Sequence, residues 1–124
     1  MMILVDTCIW IYGLADREPY VSALAALLDR DRAAGHDLVY GEMLIGDSGS
    51  RGTFLANYRQ IPKVPMIAHA EVVALVQTRG LRGRGLSWID VHLLASALAS
   101  RVKLWTADAS LQAAAQDLGV AYTA

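Results

Sequence analysis

Short apolar runs alternate with longer amphipathic segments along the chain, and this alternation predicts strands separated by helices. Three runs with strand-like side chains cover residues 2–5, 38–40 and 102–105. The segments predicted as helices are 7–14, a helix from Pro19 that stops by Gly35, one opened by Gly41 and Glu42, and then 53–60, 70–79, 87–100 and 109–118. Residues 62–65 and 120–122 are weaker strand candidates. The pattern predicts an α/β fold, a three-layer α/β/α sandwich around a short parallel sheet.

Four acidic residues fall where ligands bind in such a fold, beyond the carboxyl ends of the strands. Asp6 directly follows the first predicted strand, Glu42 lies just past the second, and Asp108 comes three residues after the third. Asp90 lies in the first turn of the helix that begins near Ser87. We therefore expect these four carboxylates to meet at one edge of the sheet.

Each acid also has an interpretation that involves no chemistry. Asp6 and Asp108 each precede a predicted helix and could cap it. Ser87 and Asp90 have the spacing of a capping box, with Asp in the place of the usual Glu. Glu42 could be a first-turn acid stabilised by the helix dipole, although Glu is a poor capping residue. Both interpretations remain open for each residue taken singly.

The conjunction of the four acids favours a metal site. Crowded carboxylates repel one another and lose their charge when desolvated, unless a cation neutralises them. Oxygen ligands alone point to Mg²⁺ or Mn²⁺. Zinc is disfavoured because the chain has one cysteine, Cys8, and three scattered histidines at 36, 69 and 92. Such a cation would supply the activated water that phosphodiester hydrolysis needs.

Composition sets the remaining limits. The 124 residues are 55% hydrophobic with a net charge of −1, which predicts one globular domain over residues 1–124. No run suits a membrane span or a signal peptide, and a single cysteine fits a reducing cytoplasm. Of the 12 acidic residues, four are the site candidates, which leaves eight against 11 basic residues. The surface outside the site is then mildly positive, with Arg79, Arg82 and Arg84 close together.

Four segments, in order, resemble the motifs of PIN-domain ribonucleases, and most closely the VapC toxins of VapBC toxin–antitoxin systems. The first is ILVDTCIWI at 3–11, similar to the frequent VDTSVWI. The second is YGEMLIG at 40–46, the third is GRGLSWIDVHLLASA at 83–97, and the fourth is LWTAD at 104–108, similar to a T-x-D motif. The resemblance covers nearly the whole chain. Cys8 in place of serine and the segment 47–50 are its small departures.

The resemblance implies a metal-dependent endoribonuclease that acts as a homodimer and is inhibited by a VapB-type antitoxin. Asp6 and Asp90 would be the principal Mg²⁺ ligands, with Glu42 and Asp108 completing the pocket and Thr106 hydrogen-bonding a carboxylate or a water. Which RNA is cut, tRNA or another structured RNA, is not readable from the motifs. The family also suggests an antitoxin surface around Trp10 and Tyr12, at the first helix.

Other functions fit the sequence less well. A haloacid-dehalogenase-type phosphotransferase needs D-x-D after the first strand, whereas this chain has Asp6-Thr7-Cys8. A receiver domain needs a lysine after its last strand, whereas Lys103 lies within a predicted one. A non-catalytic RNA-binding or interaction module with the same fold is the stronger alternative. We expect Cys8 to be buried and structural, His92 to be uninvolved in catalysis, and the three tryptophans to pack the core or an interface.

Overall fold

Three parallel strands and seven helices make up the computed structural model, which describes all 124 residues. The strands are β1 (Ile3–Val5), β2 (Ala33–Ala34) and β3 (Lys103–Trp105). The helices are α1 (Thr7–Leu14), α2 (Tyr20–Asp29), α3 (Asp37–Gly46), α4 (Gly52–Tyr58), α5 (His69–Thr78), α6 (Trp88–Ser100) and α7 (Ala109–Asp117). No helix is long and apolar enough to cross a bilayer.

The sheet has the order β2-β1-β3, with β1 in the centre. Ile3, Leu4 and Val5 of β1 are all completely buried. Because successive side chains of a strand point to opposite faces, complete burial of all three means that helices cover both faces of the sheet. This confirms the predicted α/β/α arrangement with a short parallel sheet.

The carboxyl end of β1 is the natural place for a site. From β1 the sheet extends to β2 on one side and to β3 on the other, and both neighbours pair with β1 in parallel. Connections therefore diverge at β1, and in open parallel sheets such a switch point leaves a crevice at the carboxyl ends of the strands. Asp6 is the residue that follows β1 at this crevice.

The prediction of a second strand at 38–40 is wrong. These residues lie in α3, and the second strand is the two-residue β2, which precedes Gly35. The apolar trio Leu38-Val39-Tyr40 suits either element, and the local contact that decides is a cap: His36 Nδ1 accepts a hydrogen bond from the Leu38 amide. Glu42 consequently lies in the second turn of α3, and not directly after a strand.

Most other predicted helices agree with the structure to within a few residues. The helix that we predicted to stop by Gly35 ends earlier, because α2 finishes at Asp29 and its cap is Arg30. The two weaker strand candidates form only single bridges, Gly35 with Lys63 and Leu104 with Ala121. The sheet is therefore no wider than three strands.

One cluster of 27 buried residues forms the core. Trp10 and Trp105 belong to it, as predicted, but Trp88 is 44% exposed. On α2 the buried residues are Leu24 and Leu27, whereas Leu28 is 39% exposed. Trp88 is therefore not a core residue, and the expectation that it packs at an interface stays a prediction.

Candidate active site

All four predicted carboxylates line one open cleft of about 440 Å³ at the carboxyl end of β1. We call it the acidic cleft, and its lining residues are Asp6, Thr7, Cys8, Ile11, Tyr12, Glu42, Asp90 and Asp108. The structure thus brings together side chains that are up to 102 residues apart in the chain. Their role in catalysis stays a prediction.

Asp6 is the most enclosed of the four carboxylates, with 7% of its surface exposed. Its Oδ1 accepts a hydrogen bond from the Thr7 amide at 2.7 Å, so Asp6 does cap α1. Its Oδ2 accepts hydrogen bonds from Thr106 Oγ1 at 2.7 Å and, more weakly, from Cys8 Sγ at 3.5 Å. A carboxylate has about four acceptor positions, so Asp6 is held in place and still has capacity for another partner.

The pKa of Asp6 is raised above its ordinary value, chiefly because burial disfavours the charged form. The hydrogen bonds from Thr106, Thr7 and Cys8 lower this pKa, and the negative charge of Asp90 raises it further. A desolvated carboxylate beside another acid gains electrostatic stabilisation from any cation placed between them.

Thr106 links two of the acids. It is buried, its hydroxyl donates to Asp6, and its Oγ1 accepts a hydrogen bond from the Asp108 amide at 3.1 Å. The residue directly follows β3, whose pairing with β1 places it beside the end of β1. One hydroxyl therefore fixes the Asp6 side chain relative to the segment that carries Asp108.

Glu42 reaches the cleft from α3. Its Oε1 accepts a hydrogen bond from Thr7 Oγ1 at 2.7 Å, a contact that joins the first turn of α1 to the second turn of α3. Thr7 is a site residue that the sequence analysis did not single out. A threonine one position after Asp6 carries no signal of this contact, because the contact depends on how α3 packs against α1.

Asp90 and Asp108 are both caps and cleft residues. Asp90 Oδ2 accepts from the Ser87 amide at 2.9 Å, the Asp90 amide donates to Ser87 Oγ, and together they complete the capping box of α6. Asp108 Oδ2 accepts from the Leu111 amide at 2.8 Å and caps α7. In each case the second carboxylate oxygen has no protein donor. The capping interpretation is confirmed for both residues, and it leaves one oxygen of each available to the cleft.

The donor set of the acidic cleft fits a hydrated hard cation. No basic side chain neutralises these acids, since the single ion pair of the chain joins Arg84 to Asp117. No three His, Cys, Asp or Glu side chains lie close enough together to hold a metal ion by themselves, so waters would have to complete its coordination. Mg²⁺ is commonly held by one or two carboxylates and keeps several waters, so oxygens spread around an open cleft suit it better than a cage would.

Cys8 lines the cleft and is half-buried, so the expectation of full burial is wrong, whereas its structural role stays a prediction. It donates weakly to Asp6 and accepts a hydrogen bond from the Ala107 amide at 3.4 Å. Burial raises the pKa of the thiol, and the charge of Asp6 raises it further. A neutral thiol is a weak nucleophile, and no histidine lines the cleft to activate it.

Comparison with known proteins agrees with this geometry. Residues 3–117 match the PIN domain family. The chain is 40% identical over 121 residues to Ribonuclease VapC32 from two Mycobacterium tuberculosis strains, CDC 1551 / Oshkosh and ATCC 25618 / H37Rv, covering 97% of this chain and 95% of each relative. A chain in the crystal structure of VapBC2 from Rickettsia felis, bound to a DNA fragment from its promoter, superposes on this protein with a TM-score of 0.62. The match covers 87% of this chain and 88% of that chain at 18% sequence identity, and it shows a common fold. The resemblance identified from the motifs is confirmed: this chain belongs to the PIN-domain family, in its VapC branch.

Proposed function

We propose that the protein is an endoribonuclease toxin that hydrolyses RNA phosphodiester bonds with the help of Mg²⁺ or Mn²⁺. The observation that carries the proposal is the acidic cleft, which four carboxylates line without a basic partner. Ribonuclease VapC32, at 40% identity over almost the full length, is named for the same class of activity. No arrangement of residues comparable to the acidic cleft supports the haloacid-dehalogenase-type phosphotransferase or the receiver domain.

In this proposal Asp6 and Asp90 are the principal cation ligands, and Glu42 and Asp108 complete the set directly or through water. A bound divalent cation would supply positive charge opposite the phosphate and lower the pKa of a coordinated water. The chain itself supplies position: Thr106 holds Asp6, Thr7 holds Glu42, and the helix caps hold Asp90 and Asp108. Preorganised side chains of this kind avoid reorganisation at the moment of reaction.

The test is RNA cleavage by the purified protein with and without free divalent cations. We expect cleavage of tRNA or total RNA in Mg²⁺ or Mn²⁺, complete loss in EDTA, and recovery when Mg²⁺ is added in excess. Far-UV circular dichroism in EDTA serves as the control that the fold persists. Cleavage that is indifferent to EDTA would contradict the cation dependence, and binding of RNA without turnover in any condition would favour the non-catalytic module.

A VapB-type antitoxin is the proposed protein partner, and the surface we assign to it lies on the other side of α1. We call it the apolar groove, a depression of about 240 Å³ lined by Trp10, Gly13, Leu14, Val21, Leu24, Ala25, Leu28 and Phe54. Its exposed apolar side chains, Leu14 and Leu28, favour burial against an amphipathic segment of a partner. Trp10 lines this groove and is itself buried. Tyr12, the other residue predicted for the antitoxin surface, lines the acidic cleft instead.

The homodimer stays a prediction. Leu44 and Ile45 in the last turn of α3 are large apolar side chains left in solvent, and Ile45 is 89% exposed. We expect them to contribute to contacts between copies. Sedimentation of the double variant Leu44→Glu with Ile45→Glu would then report a monomer where the wild type reports a dimer.

A further inference from the structure

A second cleft lies next to the capping box that Ser87 and Asp90 form. It has a volume of about 270 Å³, and we call it the arginine cleft; its polar and aromatic lining is Arg82, Gly83, Arg84, Gly85, Ser87 and Trp88. The two clefts are neighbours because Ser87, which lines one, is hydrogen-bonded to Asp90, which lines the other. No acidic side chain lines the arginine cleft.

The charge in this cleft is available to a ligand. Arg84 donates to Asp117 at 2.8 Å, which fixes its guanidinium in place. Arg82 is exposed and forms no ion pair. Gly83 and Gly85 have φ values of 71° and 77°, a conformation that other residues rarely adopt, so the path of the loop between the arginines depends on glycine. One arginine is therefore anchored and the other is free to pair with an anion.

Trp88 adds an aromatic surface that is both exposed and ordered. The residue is 44% exposed, the largest exposure of the three tryptophans, while Trp10 and Trp105 are buried in the core. The rings of His69 and His92 pack against it, with centroids 5.2 and 5.1 Å away. Because these contacts hold the indole before any ligand arrives, stacking on it costs less conformational entropy.

We propose that Trp88, Arg82 and Arg84 form a subsite for an unpaired nucleotide next to the scissile phosphate. The unpaired base stacks on Trp88, and a backbone phosphate pairs with Arg82. The capping box between the clefts would then lie under the strand, with the adjoining phosphate over Asp90 and Asp6. An exposed aromatic ring beside free positive charge is the combination that single-stranded nucleic acid binds. This subsite rests on the proposed function, because it assumes that the acidic cleft acts on RNA.

The decisive experiment is binding of a short, fluorescently labelled single-stranded RNA in EDTA, measured by fluorescence polarisation. We expect Trp88→Ala to raise the Kd about ten-fold and Trp88→Phe to keep most of the affinity, since phenylalanine retains a stacking face. Arg82→Ala should raise the Kd and flatten its dependence on salt concentration. Arg30→Ala is the matched control: Arg30 is exposed at the end of α2, just before the edge strand β2, and lines neither the arginine cleft nor the acidic cleft.

A second measurement does not depend on the alanine variant being well folded. Single-stranded RNA should quench the tryptophan fluorescence of the wild type, and Trp88→Phe should abolish the quench because the remaining tryptophans are buried. A perfectly paired RNA duplex should produce much less quenching, because its bases are not free to stack on a side chain.

The outcomes separate the two proposals. If Trp88→Ala binds the single strand as the wild type does, while the wild type still cleaves RNA in Mg²⁺, the subsite is overturned and the ribonuclease proposal stands. If the wild type neither binds nor cleaves RNA, both are overturned. Equal quenching by single-stranded and duplex RNA would also contradict a stacked, unpaired base.

Discussion

The two sides of α1 have opposite chemistry, although the helix is only eight residues long. Thr7, Cys8, Ile11 and Tyr12 face the acidic cleft, whereas Trp10, Gly13 and Leu14 face the apolar groove. Hydrogen bonds between polar side chains organise the first side, and packing organises the second: a Cβ on Gly13 would lie 2.9 Å from Leu24 Cδ2. The spacing of helical positions lets one short element serve both surfaces.

Because of this difference, the two sides of α1 should contribute differently to activity and to stability. On the acidic side Asp6 is a buried carboxylate, and burial disfavours its charged form and therefore the folding of the chain. The groove side chains pack against the core and stabilise the fold. Substitutions on the acidic side should therefore change activity more than stability, and substitutions in the groove should change stability or partner binding more than activity.

The largest effect is expected for Asp6→Asn. RNA cleavage should fall on the order of a thousand-fold or more, because a charged ligand is lost from the place where charge develops in the transition state. The free energy of unfolding should not fall, since asparagine is also a good helix cap and a buried charge has been removed. Single-turnover cleavage and urea unfolding in EDTA measure the two quantities. If Asp6→Asn kept its cleavage activity, or lost stability together with activity, the proposed difference between the two sides of α1 would be contradicted.

The second largest effect is expected for a substitution in the apolar groove. Leu24 is 6% exposed and packs against α1, so Leu24→Ala should lower the free energy of unfolding by about 3 kcal/mol. Cleavage per folded molecule should stay within about two-fold of the wild type, since Leu24 lies outside the acidic cleft and supplies none of the charge that acts there. Leu28→Ala is the matched control: Leu28 is 39% exposed, so the cost should be below about 1 kcal/mol. Equal costs for the two leucines would contradict the burial pattern of α2.

A smaller effect is expected at the rim of the groove. Leu28→Asp places a charge on a surface that the antitoxin is proposed to cover, and the Kd for the antitoxin should rise about ten-fold or more. Isothermal titration calorimetry with the purified antitoxin measures it. Met66→Asp is the control, because Met66 is exposed to a similar degree but lies outside the groove. If both variants weaken the complex equally, the groove is not the binding surface.

The smallest effect is a dependence of stability on pH. Burial lowers the pKa of His36, the negative charge of Asp37 raises it, and the charge of His92 lowers it again. Because the folded pKa lies below the unfolded one, the unfolded chain binds protons more readily, and stability is lost as the pH falls below the ordinary histidine value of 6.5. Protonation of Nδ1 would also break the cap on α3, which carries Glu42.

Urea unfolding at several pH values between about 7 and 5 tests this expectation. His36→Asn should flatten the fall in stability, because an asparagine oxygen can still accept the Leu38 amide and does not titrate in this range. The pKa of His92 is also lowered by burial, so some dependence should remain in the variant. If the His36→Asn variant changed its stability with pH in the same way as the wild type, the capping role of neutral His36 would be contradicted, because Asp6, whose pKa is raised by burial, contributes equally to both proteins.

The sequence was informative wherever a local rule applied. The run at 2–5, the helix starting at Ser87 and the capping box with Asp90 follow from apolar periodicity and capping chemistry, which act within a few residues. The four acids were predicted at one edge because the carboxyl ends of parallel strands share an edge. Glu42 was expected in the right cleft although the strand before it was misplaced, because it lies in the helix that follows the second strand both in the prediction and in the structure.

The rest needed contacts between distant residues. Leu38-Val39-Tyr40 has the side chains of a strand, but His36 caps α3 while Nε2 of the same ring bonds Ser96 in α6, 60 residues away. The hydrogen bond from Thr7 to Glu42 and the bond from Thr106 to Asp6 likewise have no local signature. The exposure of Trp88 likewise depends on how the other helices pack around the start of α6.

By itself, the sequence determined the alternation of strands and helices, the family, and the identity of the four acids, because periodicity, capping and motif order are properties of neighbouring residues. Only the tertiary structure decided which oxygen of Glu42, Asp90 and Asp108 is free, which side of α1 each residue faces, and which arginine is paired. These are outcomes of packing between elements far apart in the chain, where a side chain's partner is set by the fold as a whole.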